Sequence, residues 1–418
     1  MADPSRRRFL ELASVSIAGA LLPGGRVAAR NFRHDLLLRG GEVIDPSQQL
    51  RARKDIAVSG QRIADLKSDL PVNTAARVFD ATGKLVIPGL IDLHAHLAPD
   101  STSQLGLSAD ELMPFTGVTT CVSAGDVGHL GFEDFKRTVI KQAQTRVFAF
   151  LHISKFGLTR YPAPEMLDIG NAEVGLAADA VAKNSDIVLG LKVRMGRAIV
   201  GDNGLEPLRR ALTAAKQSGV KARVMCHIGD APGDLSTLLE LLRPGDILTH
   251  AYSRAGNNIV QNGKVLPAAL AAKKRGVIID VGHGGGSFDY SVVEPAIAQG
   301  LKPDTISSDL HMPSSKTPGK PYLPWVMSKF LALGFSIEEV VAMTTINPAR
   351  LIGKVPGMGT LKIGAPADIT ILEQVEQNCS FVDTRNNKRQ GVRFLRPVAI
   401  VRAGRLFSWP STTATPYP

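Results

Sequence analysis

Apolar and polar positions change rhythm twice along this chain. From Asp35 to about Val86 the apolar runs are short and punctuated by glycine and proline, as in Leu36-Leu37-Leu38, Asp55-Ile56-Ala57-Val58 and Arg62-Ile63-Ala64-Asp65-Leu66. Runs of that length bounded by turn residues predict short strands. The same texture returns in Gly359–Leu372 and Val398–Leu406, so a small β-sandwich domain formed from both termini is expected. Between Pro88 and Ile352, strand-length apolar runs alternate with helical stretches such as Leu205–Gln217 and Leu235–Leu242. Eight strands are expected there: Gly89–His96, Val118–Ala124, Arg146–Ile153, Ile187–Met195, Ala222–Ile228, Asp246–Tyr252, Val277–Gly282 and Thr305–Leu310. Eight strand–helix units favour a closed (β/α)8 TIM-like barrel, an α/β fold, over a doubly wound open sheet.

The expected organisation is a leader at 1–29, the first part of the small β domain at 30–86, the barrel at 87–352, the second part of the β domain at 353–410 and a tail at 411–418. In the leader, Ser5-Arg6-Arg7-Arg8-Phe9-Leu10 precedes a short apolar segment and Val27-Ala28-Ala29. A charged start, an apolar stretch and a small-residue cleavage site resemble a twin-arginine export signal, which implies a periplasmic protein. The alternative is a disordered basic terminus. The apolar stretch is too short for a stable membrane anchor.

Composition narrows the picture slightly. The 418 residues are 44% hydrophobic and 21% charged, an ordinary globular balance. A net charge of +11 invites a nucleic-acid reading, but the basic residues are spread out and only 5% of residues are aromatic; no nucleic-acid partner is expected. Cys121, Cys226 and Cys379 are odd in number and match neither a disulfide framework nor a zinc knuckle, so they read as buried small hydrophobes. Homo-oligomerisation is left open.

In a barrel of this kind the working residues sit at the carboxyl ends of the strands. His94 and His96 close the first expected strand, Lys192 and Arg194 the fourth, His227 the fifth, His250 the sixth and Asp309 the eighth, while His283 follows the seventh. In an extended strand, side chains at i and i+2 share a face, so His94 and His96 can grip one ion; a helix would hold them about 200° apart. Singly, each has a structural reading: a hydrogen-bonded core histidine, a snorkelling lysine, a helix-capping aspartate. Together, at equivalent barrel positions, they point to a metal site.

His94-Ala95-His96 after Pro88-Gly89-Leu90-Ile91-Asp92, with His227, His250, Asp309, Thr345-Ile346-Asn347-Pro348-Ala349-Arg350-Leu351 and Gly364-Ala365-Pro366-Ala367-Asp368-Ile369, resembles the amidohydrolase superfamily over about residues 35 to 407. Gly190-Leu191-Lys192-Val193-Arg194-Met195 is similar to the fourth strand of a deacetylase group within its dihydroorotase-like branch. The resemblance implies two divalent ions, most often zinc, bridged by an N6-carboxylated Lys192 and a hydroxide. His94, His96 and Asp309 would bind the more buried ion, His227 and His250 the more exposed one. An ammonium cannot ligate a cation, whereas a deprotonated amine can add carbon dioxide and offer two oxygen donors; an unmodified Lys192 leaves a single-metal site as the fallback. Asp309 is the expected proton shuttle.

The bond cleaved is read from a departure. Dihydroorotases carry an arginine shortly after the paired histidines, and here His96-Leu97-Ala98-Pro99-Asp100 has alanine at 98. Arg194, two residues beyond Lys192 on the same face, is the alternative carboxylate anchor, or else a salt bridge at the barrel mouth. In Gly282-His283-Gly284-Gly285-Gly286-Ser287, His283 is a candidate to face the leaving group or carbonyl oxygen, although a tight turn also explains the glycines. Tyr252, two past His250, is a candidate pocket wall. The basic loop 314–321 reads as a pocket cover or, preferably, a solvated loop. The expected reaction is hydrolysis of an acyl ester or amide of an α-hydroxy or α-amino carboxylate. A cyclic amidase such as a dihydroorotase or hydantoinase is the alternative enzyme, and a metal-free binding barrel the alternative from another class.

Overall fold

Fifteen of the seventeen strands among the described residues build the two sheets expected of the chain, and their pairing shows what each region builds. The computed structural model describes residues 32–98 and 105–410. The leader at 1–29, the tail at 411–418, and Pro99 and Asp100 lie outside the described residues.

The first region gives β1 (His34–Asp45), β2 (Leu50–Ser59), β3 (Arg62–Lys67), β4 (Ala75–Asp80) and β5 (Leu85–Pro88). β2 alternates more and less covered positions over Leu50–Lys54 and is buried over Asp55–Val58, while β5 is buried throughout. The barrel strands follow as β6 (Leu90–Ala95), β7 (Val118–Ala124), β8 (Arg146–His152), β9 (Val188–Met195), β10 (Arg223–Ile228) and β11 (Ile247–Thr249). A two-stranded hairpin, β12 (Val260–Gln261) with β13 (Lys264–Val265), precedes β14 (Ile278–Ile279). The chain returns to the small sheet as β15 (Ile369–Val382), β16 (Lys388–Arg402) and β17 (Arg405–Ser408). That sheet runs β17-β16-β15-β5-β1-β2-β3, with β4 on β1, so strands from both ends of the chain share it. Its buried face packs Leu36, Val43, Ile56 and Val58 from the first part against Ile369, Ile371 and Val401 from the second.

The barrel sheet is parallel and runs β14-β11-β10-β9-β8-β7-β6. β7 and β6 are buried at every position, the continuous apolar signature of strands covered on both faces. The eighth expected strand is corrected: Thr305–Leu310 is an extended segment that touches each sheet edge through one bridge, Asp280↔Thr305 and Ala95↔Leu310. Its hydrogen bonds divide between the edges, with Val281 N and His283 N donating to Thr305 O and Ser307 O (both 3.2 Å), and Asp309 N donating to His94 O (2.7 Å). The side chains of Ser307 and Ser308 bind the buried carboxylates of Asp280 and Asp92 instead of packing as strand residues. The segment joins the two edges of the curled sheet.

The hairpin of β15 and β16 is longer than the sequence suggested. The pattern ended the strand at Leu372, because Glu373-Gln374-Val375-Glu376-Gln377-Asn378 is polar. The pairing runs on to Val382↔Lys388, and Phe381 and Phe394 clasp Trp325 of the helix Leu323–Ala332 at ring distances of 4.7 and 5.6 Å.

Register decides what faces what. β9 and β10 pair Lys192 with Met225 and Arg194 with His227; β8 and β9 pair His152 with Lys192. Two residues back on the same faces, Phe150, Met225 and Ile247 form one buried layer with Val122 and Phe148. The polar strand ends therefore stand on a packed floor. Among the described residues no helix is long and apolar enough to cross a membrane.

Candidate metal centre

The six expected ligands meet. His94, His96, Lys192, His227, His250 and Asp309 line one cleft, with Arg194 at its side. β6 ends in His94, and His96 follows on the same face; Asp309 arrives on the closing segment, its backbone bonded to that of His94. The Asp309 Oδ1 atom lies 3.3 Å from His94 Nε2 and 3.1 Å from His96 Nε2. His250 Nε2 is 3.9 Å from Asp309 Oδ2, and the His227 and His250 rings are 4.2 Å apart.

Each of three imidazoles has its Nδ1 engaged elsewhere. His94 Nδ1 meets Thr249 Oγ1 at 2.8 Å, and that hydroxyl donates to Asp280 Oδ2 at 2.7 Å. His96 Nδ1 meets Asp126 Oδ1 at 2.6 Å, and His250 Nδ1 donates to Gly282 O at 2.6 Å. Protons held on Nδ1 leave the Nε2 lone pairs for a cation. The donor atoms of His94, His250 and Asp309 all lie within 4.8 Å of one another. The donor set thus fits a divalent ion by its chemistry: neutral imidazoles, a carboxylate and hydrogen bonds that fix the tautomers.

Electrostatics agree. Burial, with the charge of Lys192 nearby, holds His94 well below the ordinary imidazole range. Burial takes His250 down to about 4, and burial beside His250 takes His227 well below its usual value. His96 is opposite: burial pushes it down, but the Asp126 carboxylate overrides this and lifts it to about 9. A proton there sits between Asp126 and Asp309, on the nitrogen a cation would use. Burial drives the Asp309 carboxyl upward, and the surrounding histidines reverse this and hold it well below the carboxylate range.

Lys192 is buried and its Nζ lies 3.0 Å from His94 Nε2. Burial lowers its ammonium to about 8, against the pull of Asp309, which leaves a fraction of free amine near neutral pH. Two backbone features hold this arrangement. His250 and Asp309 adopt left-handed φ of 62° and 47°, a conformation costing about 1–2 kcal/mol for a non-glycine residue and typical of functional sites. Gly284, at φ 51°, brings its backbone against Asp309: a Cβ there would lie 2.3 Å from Oδ2.

Two expected pocket residues do not reach the cleft. His283 turns away from it; its Nε2 is 2.7 Å from Lys329 Nζ, its Nδ1 bonds Gly284 O and its ring stacks on Phe288. The tight turn explains the glycines. Tyr252 is fully buried, and its hydroxyl donates to Leu301 O at 2.9 Å. The basic loop does not line the cleft either; Lys316 is exposed, as the solvated reading expected.

Sequence reasoning missed four residues. His311 lines the cleft with its ring 5.8 Å from that of His96; Asp309-Leu310-His311 repeats the i, i+2 spacing of His94 and His96. Asp126 and His152 stand at the ends of the second and third barrel strands, and the strand-end rule reaches both. Glu165, which accepts from Arg194 Nη1 at 3.2 Å, lies in an irregular segment that carries no periodic signal.

The sequence profile of the Amidohydrolase family matches residues 289–392. A deacetylase from Agrobacterium fabrum is 33% identical over 346 residues, covering 82% of this chain and 84% of that relative. The crystal structure of an adenine deaminase superposes with a TM-score of 0.83 at 29% identity, covering 90% of this chain and 100% of that one. That of a dihydroorotase gives 0.82 at 31%, covering 89% and 99%.

Proposed function

The chain belongs to the amidohydrolase superfamily, and from that premise we propose that it removes an acyl group, most simply acetyl, from an ester or amide of an α-hydroxy or α-amino carboxylate. The observation that carries this reading is the cleft itself, in which imidazole nitrogens and one carboxylate converge beside a guanidinium. His94, His96 and Asp309 would hold one divalent ion, zinc in this proposal, and His227 with His250 a second, with a carboxylated Lys192 between them. Divalent ions in such a site supply Lewis acidity, activating water and polarising the scissile carbonyl.

The remaining chemistry belongs to the chain. Carboxylation of Lys192 consumes its free amine and releases the His94 Nε2 lone pair that the ammonium now occupies. Asp309, ionised and at the centre of the cluster, accepts a proton from the attacking water and returns it to the leaving alkoxide or amine. Arg194 offers its guanidinium to the substrate carboxylate across from the reacting carbonyl. The cyclic-amidase reading is weaker, because Ala98 is fully buried where a dihydroorotase would place its arginine. We further propose, from the leader's residues alone, export by the twin-arginine route.

The test is a matched panel assayed on zinc-loaded protein: N-acyl amino acids, O-acyl hydroxy acids and cyclic amides, in both stereochemical series. Turnover of acylated acids is expected. Turnover of dihydroorotate with no action on acylated acids would overturn the proposal.

A further inference from the structure

Glu165 is a buried carboxylate, 6% exposed, held outside the cleft lining. It sits between β8 and the helix Val174–Lys183, in a segment that also sends Leu158 and Tyr161 into the cleft. Its Oε2 accepts from Arg194 Nη1 at 3.2 Å, and its Oε1 lies 3.3 Å from His152 Nε2. His152 Nδ1 accepts from Ser154 N at 2.9 Å, so the imidazole proton sits on Nε2, facing Glu165. The segment around it is tied down from several sides. Leu158 N donates to Asp126 O (3.0 Å), Asn203 Nδ2 donates to Met166 O and Leu167 O (both 2.9 Å), and Arg210 Nη1 donates to Ile169 O (3.0 Å).

We infer that Glu165, oriented by His152, is a positioning residue that sets the plane of the Arg194 guanidinium and so decides how tightly a substrate carboxylate is held. The inference rests on the reading of Arg194 as the carboxylate anchor. A guanidinium presents five donors in a rigid fork. Holding one of them on a buried carboxylate biases the direction of the others, and among the described residues those others have no hydrogen-bond acceptor from the protein. A carboxylate removed from water is costly unless paired, and Glu165 is paired with a cation, Arg194, that opens onto the cleft beside the ligand set. Arg194 is also the cross-strand partner of His227, so the anchor stands beside the ligand set.

The experiment uses metal-loaded wild type, Glu165→Ala, Glu165→Gln, Arg194→Met and the Glu165→Ala/Arg194→Met double variant. Two substrates are compared, one acylated α-hydroxy carboxylate and the same compound with its carboxylate capped as a primary amide. For the carboxylate, Glu165→Ala is expected to raise KM about tenfold with kcat within about twofold. Glu165→Gln, which keeps the size and one acceptor, is expected to raise it about threefold and guards against a folding defect in the alanine variant. Neither variant should shift kcat/KM for the amide, and Glu165→Ala should add nothing in the Arg194→Met background. An equal loss on both substrates, an unchanged or lowered KM for the carboxylate, or additivity in the double variant would overturn the inference. If Arg194→Met leaves discrimination between the two substrates unchanged, the anchor reading falls and this inference with it. If Arg194→Met abolishes discrimination and both Glu165 variants keep it, only the role of Glu165 falls.

Discussion

Among the described residues two lysine–histidine pairs are buried, Lys192 with His94 and Lys329 with His283, and their surroundings divide chemistry from architecture. Lys329 Nζ donates to His283 Nε2, Gly319 O and Val382 O, each at 2.7 Å. An ammonium has three donors, and here all three are used. His283 spends its other nitrogen on Gly284 O and its face on Phe288. This pair is saturated and closed, and it ties the loop after the eighth segment to the far end of the long hairpin. Among the described residues Lys192 has His94 Nε2 and a long contact to Met225 Sδ at 3.6 Å, and it opens on a cleft with a carboxylate and four further imidazoles. The same two residue types are structural where every valence is satisfied, and poised for ligation where lone pairs converge on one cleft.

That contrast can be broken most severely at Asp309. Asp309→Asn is expected to lower kcat by at least about 10³ while keeping the fold, seen in a steady-state assay alongside circular dichroism; activity within tenfold of wild type would remove Asp309 from its central role. Asp126→Ala frees His96 Nδ1 and is expected to weaken metal affinity by about 10–100-fold, read by titration against a fluorescent chelator. The saturated pair answers differently. Lys329→Met leaves two carbonyls and an imidazole without their donor and is expected to cost about 2–4 kcal/mol of stability, measured by urea unfolding, with kcat per folded molecule within about twofold. A large loss of kcat in still-folded Lys329→Met protein would dissolve the distinction between the pairs. The smallest effect is expected at Tyr252→Phe, about 1 kcal/mol for the hydrogen bond to Leu301 O, with no change in KM; a rise in KM would put Tyr252 back at the pocket.

The same distinction explains what was legible in the sequence. Seven barrel strands and the shared small sheet could be read because burial on both faces leaves continuous apolar runs, and because strand ends repeat at regular intervals. The closing segment could not be read as anything but a strand, since Thr305-Ile306 looks like one; its hydrogen bonds divide between two partners that lie far apart in sequence. The hairpin extension was hidden because β15 is polar from Glu373 to Asn378, and only Trp325, some fifty residues earlier, gives it a face to cover. At the site, the six ligand positions share a strand-end address. His283 shares nearly the same address, and nothing local separates it from His250; the difference is Lys329, whose position beneath it is set by tertiary packing. Glu165 has no address of any kind, which is why a residue acting through Arg194 emerges only in three dimensions.

The central claim is that His94, His96, Lys192, His227, His250 and Asp309 form a metal site on which hydrolysis depends. The most direct test is metal content per chain in freshly purified protein, followed through chelation and zinc return with hydrolysis of an acylated acid measured at each step. The account predicts about two ions per chain, with activity lost on removal and regained in proportion to zinc restored. Fewer than about one ion per chain, or hydrolysis that persists after the metal is gone, would contradict it.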